Sequence, residues 1–228
     1  MAQIALVEPL SAGRERPALP ALVAGLEVTA VFAGILLYIW RWQRTLPHVW
    51  LALLAVILVS HAVRRETLRD LGLAGTGLRP SAQFILPLAL LAYIPLLLYG
   101  AIGHRLGLLR PGWSSLLLLL GYGMWCVVQQ YLAQSYFHNR LMVAIRNRHL
   151  SSALVAIMFS ATHIPNPILT VATLVAGFAF AEAFARYRNL YALALAQAVG
   201  GLLLAAISPE SLIHHMRVGP SYLFFGIR

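Results

Sequence analysis

Lysine is missing from this sequence, and all seventeen of its basic residues are arginines. A rhodopsin holds retinal through a Schiff base to a lysine amine, so the missing lysine excludes that class of seven-helix protein. The single cysteine, Cys126, excludes a disulfide within the chain. Charged residues are also scarce: they make up 11% of the chain, less than half of the share usual in soluble globular domains.

Hydrophobic residues are abundant instead, at 60% of the 228 residues, and they occur in runs long enough to cross a bilayer as helices. We therefore predict an all-α membrane bundle with about seven spans, at residues 19–40, 46–63, 84–103, 113–137, 150–163, 168–185 and 190–207. A polar amphipathic stretch between the second and third spans is predicted to lie at the membrane interface.

This reading divides the chain into an N-terminal tail at residues 1–18, a helical bundle at 19–207 and a C-terminal tail at 208–228. The first tail lacks a basic start followed at once by an apolar core, so we predict a cytoplasmic segment rather than a cleaved signal. The second tail could dock on a partner or lie on the membrane.

Arginine counts predict that the N-terminus lies inside. Eleven arginines then fall in inner connections and six in outer ones, which satisfies the positive-inside rule. The inner set is Arg14, Arg16, Arg64, Arg65, Arg69, Arg79, Arg140, Arg146, Arg148, Arg186 and Arg188, and the outer set is Arg41, Arg44, Arg105, Arg110, Arg217 and Arg228. We therefore attribute the net charge of +10 to arginines that set the orientation in the membrane and contact anionic lipid headgroups. No nucleic acid is expected as a partner. If the short fifth and sixth segments form one re-entrant unit, the C-terminal tail moves to the inner side.

Glutamines inside the fourth span are the most unusual feature. Gln130, Gln134 and His138 are spaced four apart and share a helix face with Cys126, while Gln129 lies about 100° to the side. Amides are costly in hydrocarbon unless they are hydrogen-bonded. They either join helices, at roughly 0.6–2 kcal/mol each, or line a site.

Further residues of interest lie in the last three spans and, for Glu27, in the first. Phe159 and His163 are four apart, just before the helix-breaking sequence "HIPNP". Gln197 precedes Gly200 and Gly201, whose missing side chains are predicted to leave room beside it. Two carboxylates, Glu27 and Glu182, are predicted to be ion-paired or neutral rather than catalytic, and the small residues Gly177, Ala181 and Ala185 are predicted to let helices approach closely.

Three stretches, "QQYLAQSYFHNRL", "FSATHIPNP" and "ALAQAVGG", resemble the CPBP family of intramembrane metalloproteases, the CAAX-protease and bacteriocin-processing (Abi) group. The resemblance covers about residues 68–205 and implies a CPBP-like core in a bacterial inner membrane. The family motifs are Glu-Glu-xxx-Arg, Phe-xxx-His, and His-xxx-Asn or Asp. The positions matching the family's catalytic site are Gln129 and Gln130 at the glutamates, Gln134 at the arginine, His163 at the first histidine, Gln197 at the second histidine and Gly201 at the Asn or Asp.

This substitution pattern predicts impaired catalysis, because an amide cannot take a proton near neutral pH and is a poor metal ligand. Zinc would need three His, Cys or carboxylate ligands, so we expect it only if the site is active, with His163 as the one candidate. The favoured hypothesis is a pseudoprotease that binds or scaffolds another membrane protein or a membrane-embedded peptide.

Two alternatives stay open. An active intramembrane endopeptidase would use His163 or His138 as base, with Glu182 or Glu27 in support and glutamines as oxyanion donors. A pigment- or cofactor-associated subunit would use histidines as axial ligands, from the set His61, His104, His138 and His163.

Overall fold

The structure is a computed structural model that describes residues 18–106 and 113–224. Within these two ranges the chain forms helices and the turns between them, and no strand. The all-α prediction is therefore confirmed. Most of the predicted N-terminal tail, and the predicted outer arginines Arg110 and Arg228, lie outside the described residues.

The helices follow one another with short connections. In chain order they are α1 (Ala18–Leu37), a π-helical stretch (Tyr38–Trp42), α2 (Gln43–Thr45), α3 (Val49–Arg64), α4 (Leu78–Ile102), α5 (Trp113–Gln130), a second π-helical stretch (Tyr131–His138), α6 (Asn139–Ile145), α7 (Arg148–Ala161), α8 (Pro167–Tyr187), α9 (Tyr191–Ile207), α10 (Glu210–Ile213), a 3₁₀ turn (His214–Met216) and α11 (Pro220–Leu223).

Four of the described helical segments are long and apolar enough to cross a membrane: Pro20–Thr45, Leu78–Ile102, Leu116–Ile145 and Pro167–Tyr187. Two shorter apolar helices, α3 and α9, accompany them. Every predicted span coincides with a helix, but α7 has only 14 residues. The helices therefore establish a membrane-type bundle.

Two predicted boundaries are wrong. The third span begins at Leu78 rather than 84, because Gly77 takes a left-handed conformation (φ 81°) that sets the helix start, and Pro80 is tolerated in the first turn. Part of the predicted interfacial stretch is therefore helical. The fourth span does not end at 137 but continues as one helix to Ile145, where Arg146 turns left-handed (φ 60°).

Contacts between connections define two ends of the bundle. At the first, which we call the arginine-rich end (residues 64–79, 140–149 and 186–191), the Ser135 hydroxyl donates to the Leu71 carbonyl (2.6 Å) and the Tyr191 hydroxyl to the Leu73 carbonyl (3.0 Å). At the opposite tail end (38–48, 102–106, 162–167 and 208–224), the Gly219 N–H donates to the Ile164 carbonyl (2.9 Å). The predicted C-terminal tail thus packs on its own bundle.

A buried ionic cluster holds α1, α3 and α6 together near the arginine-rich end. The Arg140 side chain is 1% exposed and donates to both carboxylate oxygens of Glu66 (2.8 Å each). Glu27 accepts from Arg140 (3.3 Å) and from Arg64 (2.7 Å), so it is ion-paired, as predicted. Arg140 was predicted in a loop, but its bidentate pairing allows it to be buried.

Glycine and alanine bring α7 and α8 together as predicted. A Cβ added at Gly177 would lie 3.3 Å from the Cα of Ala156, so the two backbones approach closely there. Ala181, one turn further along α8, is fully buried in the core. The small residues therefore let α7 and α8 pack closely, as expected for helices in a membrane bundle.

Candidate functional site

The four glutamines form one hydrogen-bonded chain between α5, the π-helical stretch after it, and α9. Gln134 Nε2 donates to Gln130 Oε1 (3.2 Å), and Gln130 Nε2 donates to Gln197 Oε1 (2.7 Å). Gln197 Nε2 in turn donates to Gln129 Oε1 (2.5 Å). The structure thus brings together four of the predicted site residues, and the Gln197 amide bridges both members of the Gln-Gln pair.

Burial explains why these amides pair with each other. Gln130 is fully buried and Gln134 is 1% exposed, while Gln129 is half-buried at the edge of the chain. Gln130 and Gln197 each donate to one neighbour and accept from another, which offsets the cost of removing them from water. Gln134 donates to Gln130, but its own oxygen accepts no hydrogen bond from the described residues. The arrangement joins two helices by side-chain hydrogen bonds, as polar residues do in membrane bundles.

The predicted polar stripe does not extend to His138. The helix winds as a π-helix from Tyr131 to His138, so its side chains turn away from strict α-helical spacing. The His138 ring, which is fully buried, lies instead beside the Ser152 hydroxyl of α7 (3.3 Å) and edge-on to Phe184 (6.0 Å between centroids). His138 therefore belongs to a different contact region from the glutamine chain.

The space predicted beside Gln197 is filled, so that prediction is wrong. A Cβ at Gly201 would lie 2.0 Å from the Tyr122 hydroxyl oxygen and 2.9 Å from its Cζ. A Cβ at Gly200 would lie 3.0 Å from Cε1 of Tyr93, whose hydroxyl donates to the Ala196 carbonyl. Glycine here allows the aromatic rings to approach the helix. Tyr122 thus occupies the place of an Asn or Asp side chain at position 201.

His163 lies in the turn after α7, where the predicted helix break is confirmed. Its Nδ1–H donates to the Phe159 carbonyl (2.7 Å), and its ring packs edge-on to the Phe159 ring (5.0 Å between centroids). The Thr162 hydroxyl lies 3.2 Å from the same nitrogen. These contacts place the ring against its own helix end and do not join it to the glutamine chain.

Other groups proposed for catalysis or ligation are engaged elsewhere. Glu182 pairs with His149 (3.0 Å) at the arginine-rich end, and is therefore ion-paired as predicted. His61 Nδ1 contacts Glu66 (2.5 Å) in the ionic cluster. Burial by itself raises the pKa of Glu66, but hydrogen bonds from His61 and Arg140 outweigh it and lower that pKa to about 2. Three of the histidines proposed as axial ligands, His61, His138 and His163, therefore lie in separate regions of contact.

The donor set does not fit a metalloprotease ion. The side chains at the family's ligand positions are amides that already hydrogen-bond each other, and His163 is the one strong ligand type among them. Within residues 18–106 and 113–224, no three His, Cys, Asp or Glu side chains are grouped so that they could hold an ion.

The fold defines a polytopic helical membrane protein. Its polar residues have the spacing of a protease site, but their side chains are amides in place of acid–base groups. A family model described as type II CAAX prenyl endopeptidase Rce1-like matches residues 111–203, the segment that contains the glutamine chain and His163. The resemblance to the CPBP and CAAX-protease family is thereby confirmed over this segment. The chain is a CAAX-protease-like membrane protein. No curated protein and no solved structure matches the chain.

Two residues of this centre were missed from the sequence. Tyr122 is four residues before Cys126 and eight before Gln130, so helical spacing placed it on the glutamine face, but its contact with α9 needed the fold. Tyr93 comes from α4, and nothing local in the sequence connects it with Gly200. Arg140 was assigned to a connection because a charged residue beside an apolar run usually marks its end.

Proposed function

We propose that this protein is a CAAX-protease-like pseudoprotease, which retains the family's helical core without hydrolysing peptides and binds or scaffolds another membrane protein or membrane-embedded peptide. The proposal includes seven membrane crossings with the N-terminus inside. The observation that carries it is the bridging amide of Gln197, which ties Gln129 and Gln130 to α9 where the family needs acid–base groups.

Hydrolysis in the family requires a carboxylate that takes a proton from water. Gln130 presents no such group, and its amide already donates to Gln197 and accepts from Gln134. Loss of a general base alone commonly lowers a rate by about 10²–10⁴. The place of the family's Asn or Asp is closed as well, because the Tyr122 hydroxyl fills the space beside Gly201. Restoring one residue therefore does not restore the site.

A direct test uses the purified protein in nanodiscs with a library of membrane and prenylated peptides. We expect no cleavage above that of the His163→Ala variant, and no metal retained after dialysis. An active CAAX-type protease assayed in parallel confirms that the peptides are cleavable. Cleavage that disappears in His163→Ala, or stoichiometric zinc that disappears with it, would overturn the proposal.

A second candidate function is an active endopeptidase with a rearranged site, favoured by one observation. Because His163 Nδ1–H donates to the Phe159 carbonyl, Nε2 carries the lone pair, which is the tautomer needed for a base. This candidate predicts activity lost in His163→Ala and lowered in Gln197→Ala, because the glutamines would serve as oxyanion donors. The pseudoprotease predicts identical, background cleavage for the wild type and both variants.

A further inference from the structure

A cluster of basic side chains surrounds one buried carboxylate where α7 begins and α8 ends. Glu182, whose side chain is 7% exposed, has Arg148 Nε at 3.4 Å and Arg186 at 3.5 Å from the same oxygen, Oε2. His149 Nδ1 contacts the other oxygen at 3.0 Å. Arg186 also lies over the Phe84 ring, 4.9 Å from its centroid, so its plane is held in place.

Glu182 holds the two arginines close to it but does not use all of their N–H donors. Among the described residues, Glu182 Oε2 accepts no hydrogen bond, so neither guanidinium group donates to that oxygen. One terminal nitrogen of Arg148 contacts His149 Nε2 (3.3 Å), and the other is not engaged by Glu182. The side chains of Arg148 and Arg186 are 38% and 35% exposed. Arg148 Nε itself is buried, so Arg148 reaches the surface through the terminal part of its guanidinium group. One carboxylate thus orders two outward-facing guanidinium groups.

The local charge balance calls for an anion. Two arginines against one carboxylate leave one positive charge, without counting His149. Arg148 and His149 also stand in the first turn of the 14-residue helix α7, where the helix dipole is positive and acidic residues are normally favoured. The first turn contains no acidic residue. An external anion would stabilise both the arginines and the helix start.

The position of the cluster indicates that this anion belongs to a lipid. The membrane-spanning stretch of α8 ends at Tyr187, so Arg186 stands at the level of the headgroups. Leu150, the residue after His149, is an exposed apolar side chain (48%), as is Leu78 (44%) at the start of α4. A phosphate with acyl chains satisfies both the basic and the apolar surface, whereas free phosphate satisfies the basic one alone.

We propose that Arg148 and Arg186, ordered by Glu182, form a binding site for the phosphate headgroup of an anionic membrane lipid. Guanidinium groups suit this role because their planar N–H donors match phosphate oxygens in pairs. The site lies at the arginine-rich end, away from the glutamine chain. It depends on the protein lying in a membrane, and not on whether the protein hydrolyses peptides.

Native mass spectrometry of the full chain in detergent, titrated with phosphatidylglycerol or phosphatidylcholine, tests the proposal. We expect tighter binding of phosphatidylglycerol. At about 1 kcal/mol per arginine near a charged headgroup, Arg148→Gln and Arg186→Gln should each weaken it about fivefold, and the double variant about 25-fold. Arg148→Lys, which keeps the charge but loses the paired donors, should bind with intermediate affinity.

The matched control is Arg65→Gln, because Arg65 is exposed at the same end of the bundle but outside the cluster. We expect Arg65→Gln to keep wild-type affinity. Equal retention of the two lipids, or equal loss in Arg65→Gln, would show general attraction and overturn the site. Inorganic phosphate that displaced the lipid at equal concentration would overturn the lipid assignment. If Arg148→Gln failed to fold, the partly exposed Arg186→Gln would decide alone.

Discussion

Replacing Gln197 with leucine tests the glutamine chain most directly, because Leu is close to Gln in size and cannot hydrogen-bond. The change removes two hydrogen bonds, one from Gln130 and one to Gln129. Side-chain hydrogen bonds within membrane proteins average about 0.6 kcal/mol each, so their loss costs about 1 kcal/mol. The fully buried Gln130 amide also loses its acceptor, which adds about 1–3 kcal/mol. We expect a total of about 2–4 kcal/mol.

The free energy of unfolding can be measured by titrating the purified protein in mixed micelles with a denaturing detergent. Gln83→Leu is the matched control, because Gln83 is an exposed glutamine on α4 and its loss should change stability little. Combining Gln197→Leu with Gln130→Leu should give less than the sum of the single effects, since both remove the same bond.

Two results would refute the reasoning. If Gln197→Leu were as stable as Gln83→Leu, the amide chain would not hold α5 against α9. If the effects of Gln197→Leu and Gln130→Leu simply added, the two side chains would not be partners.

Three further predictions concern the surroundings of the site. Gly201→Ala should destabilise the protein by about 1–3 kcal/mol, because its Cβ meets the Tyr122 hydroxyl, and Tyr122→Phe should partly relieve this in the same unfolding titration. Glu66 has a pKa of about 2 when folded against an ordinary 4.5, so its contribution is fully present above pH 4.5 and is lost as the pH falls towards 2. That loss should reach about 3 kcal/mol. When the free energy of unfolding is measured at several pH values, it should fall less below pH 4.5 in Glu66→Gln than in the wild type. Arg140→Met should cost about 3–5 kcal/mol, because it leaves Glu66 and Glu27 without their buried partner. Arg69→Met, at an exposed position, is the control. Similar midpoints for the two variants in the unfolding titration would contradict this prediction.

The sequence predicted the helices better than their ends. Apolar runs located every long helix, because a bilayer-spanning segment needs about 20 consecutive apolar residues. The start at Leu78 and the end at Ile145 were missed, since each depends on a left-handed residue at Gly77 or Arg146 rather than on hydrophobicity. The π-helical winding after Gln130 also left no composition signal.

The candidate site was predicted in part. Spacing and family resemblance singled out the four glutamines, and their hydrogen bonding to one another agrees with the need to pair buried amides. The room predicted beside Gln197 was wrong, because the Tyr122 and Tyr93 rings come from other helices. The catalytic or non-catalytic role of these positions and of His163 stays a prediction until activity is measured.

By itself the sequence determined that the chain is an all-helical membrane protein with CAAX-protease spacing, since hydrophobic run length and motif intervals are local properties. Only the tertiary structure decided that the glutamines bond to each other, that Tyr122 fills the place beside Gly201, and that Arg140 is buried against Glu27 and Glu66. Those outcomes depend on which side chains meet across helices distant in sequence, and no local pattern specifies that.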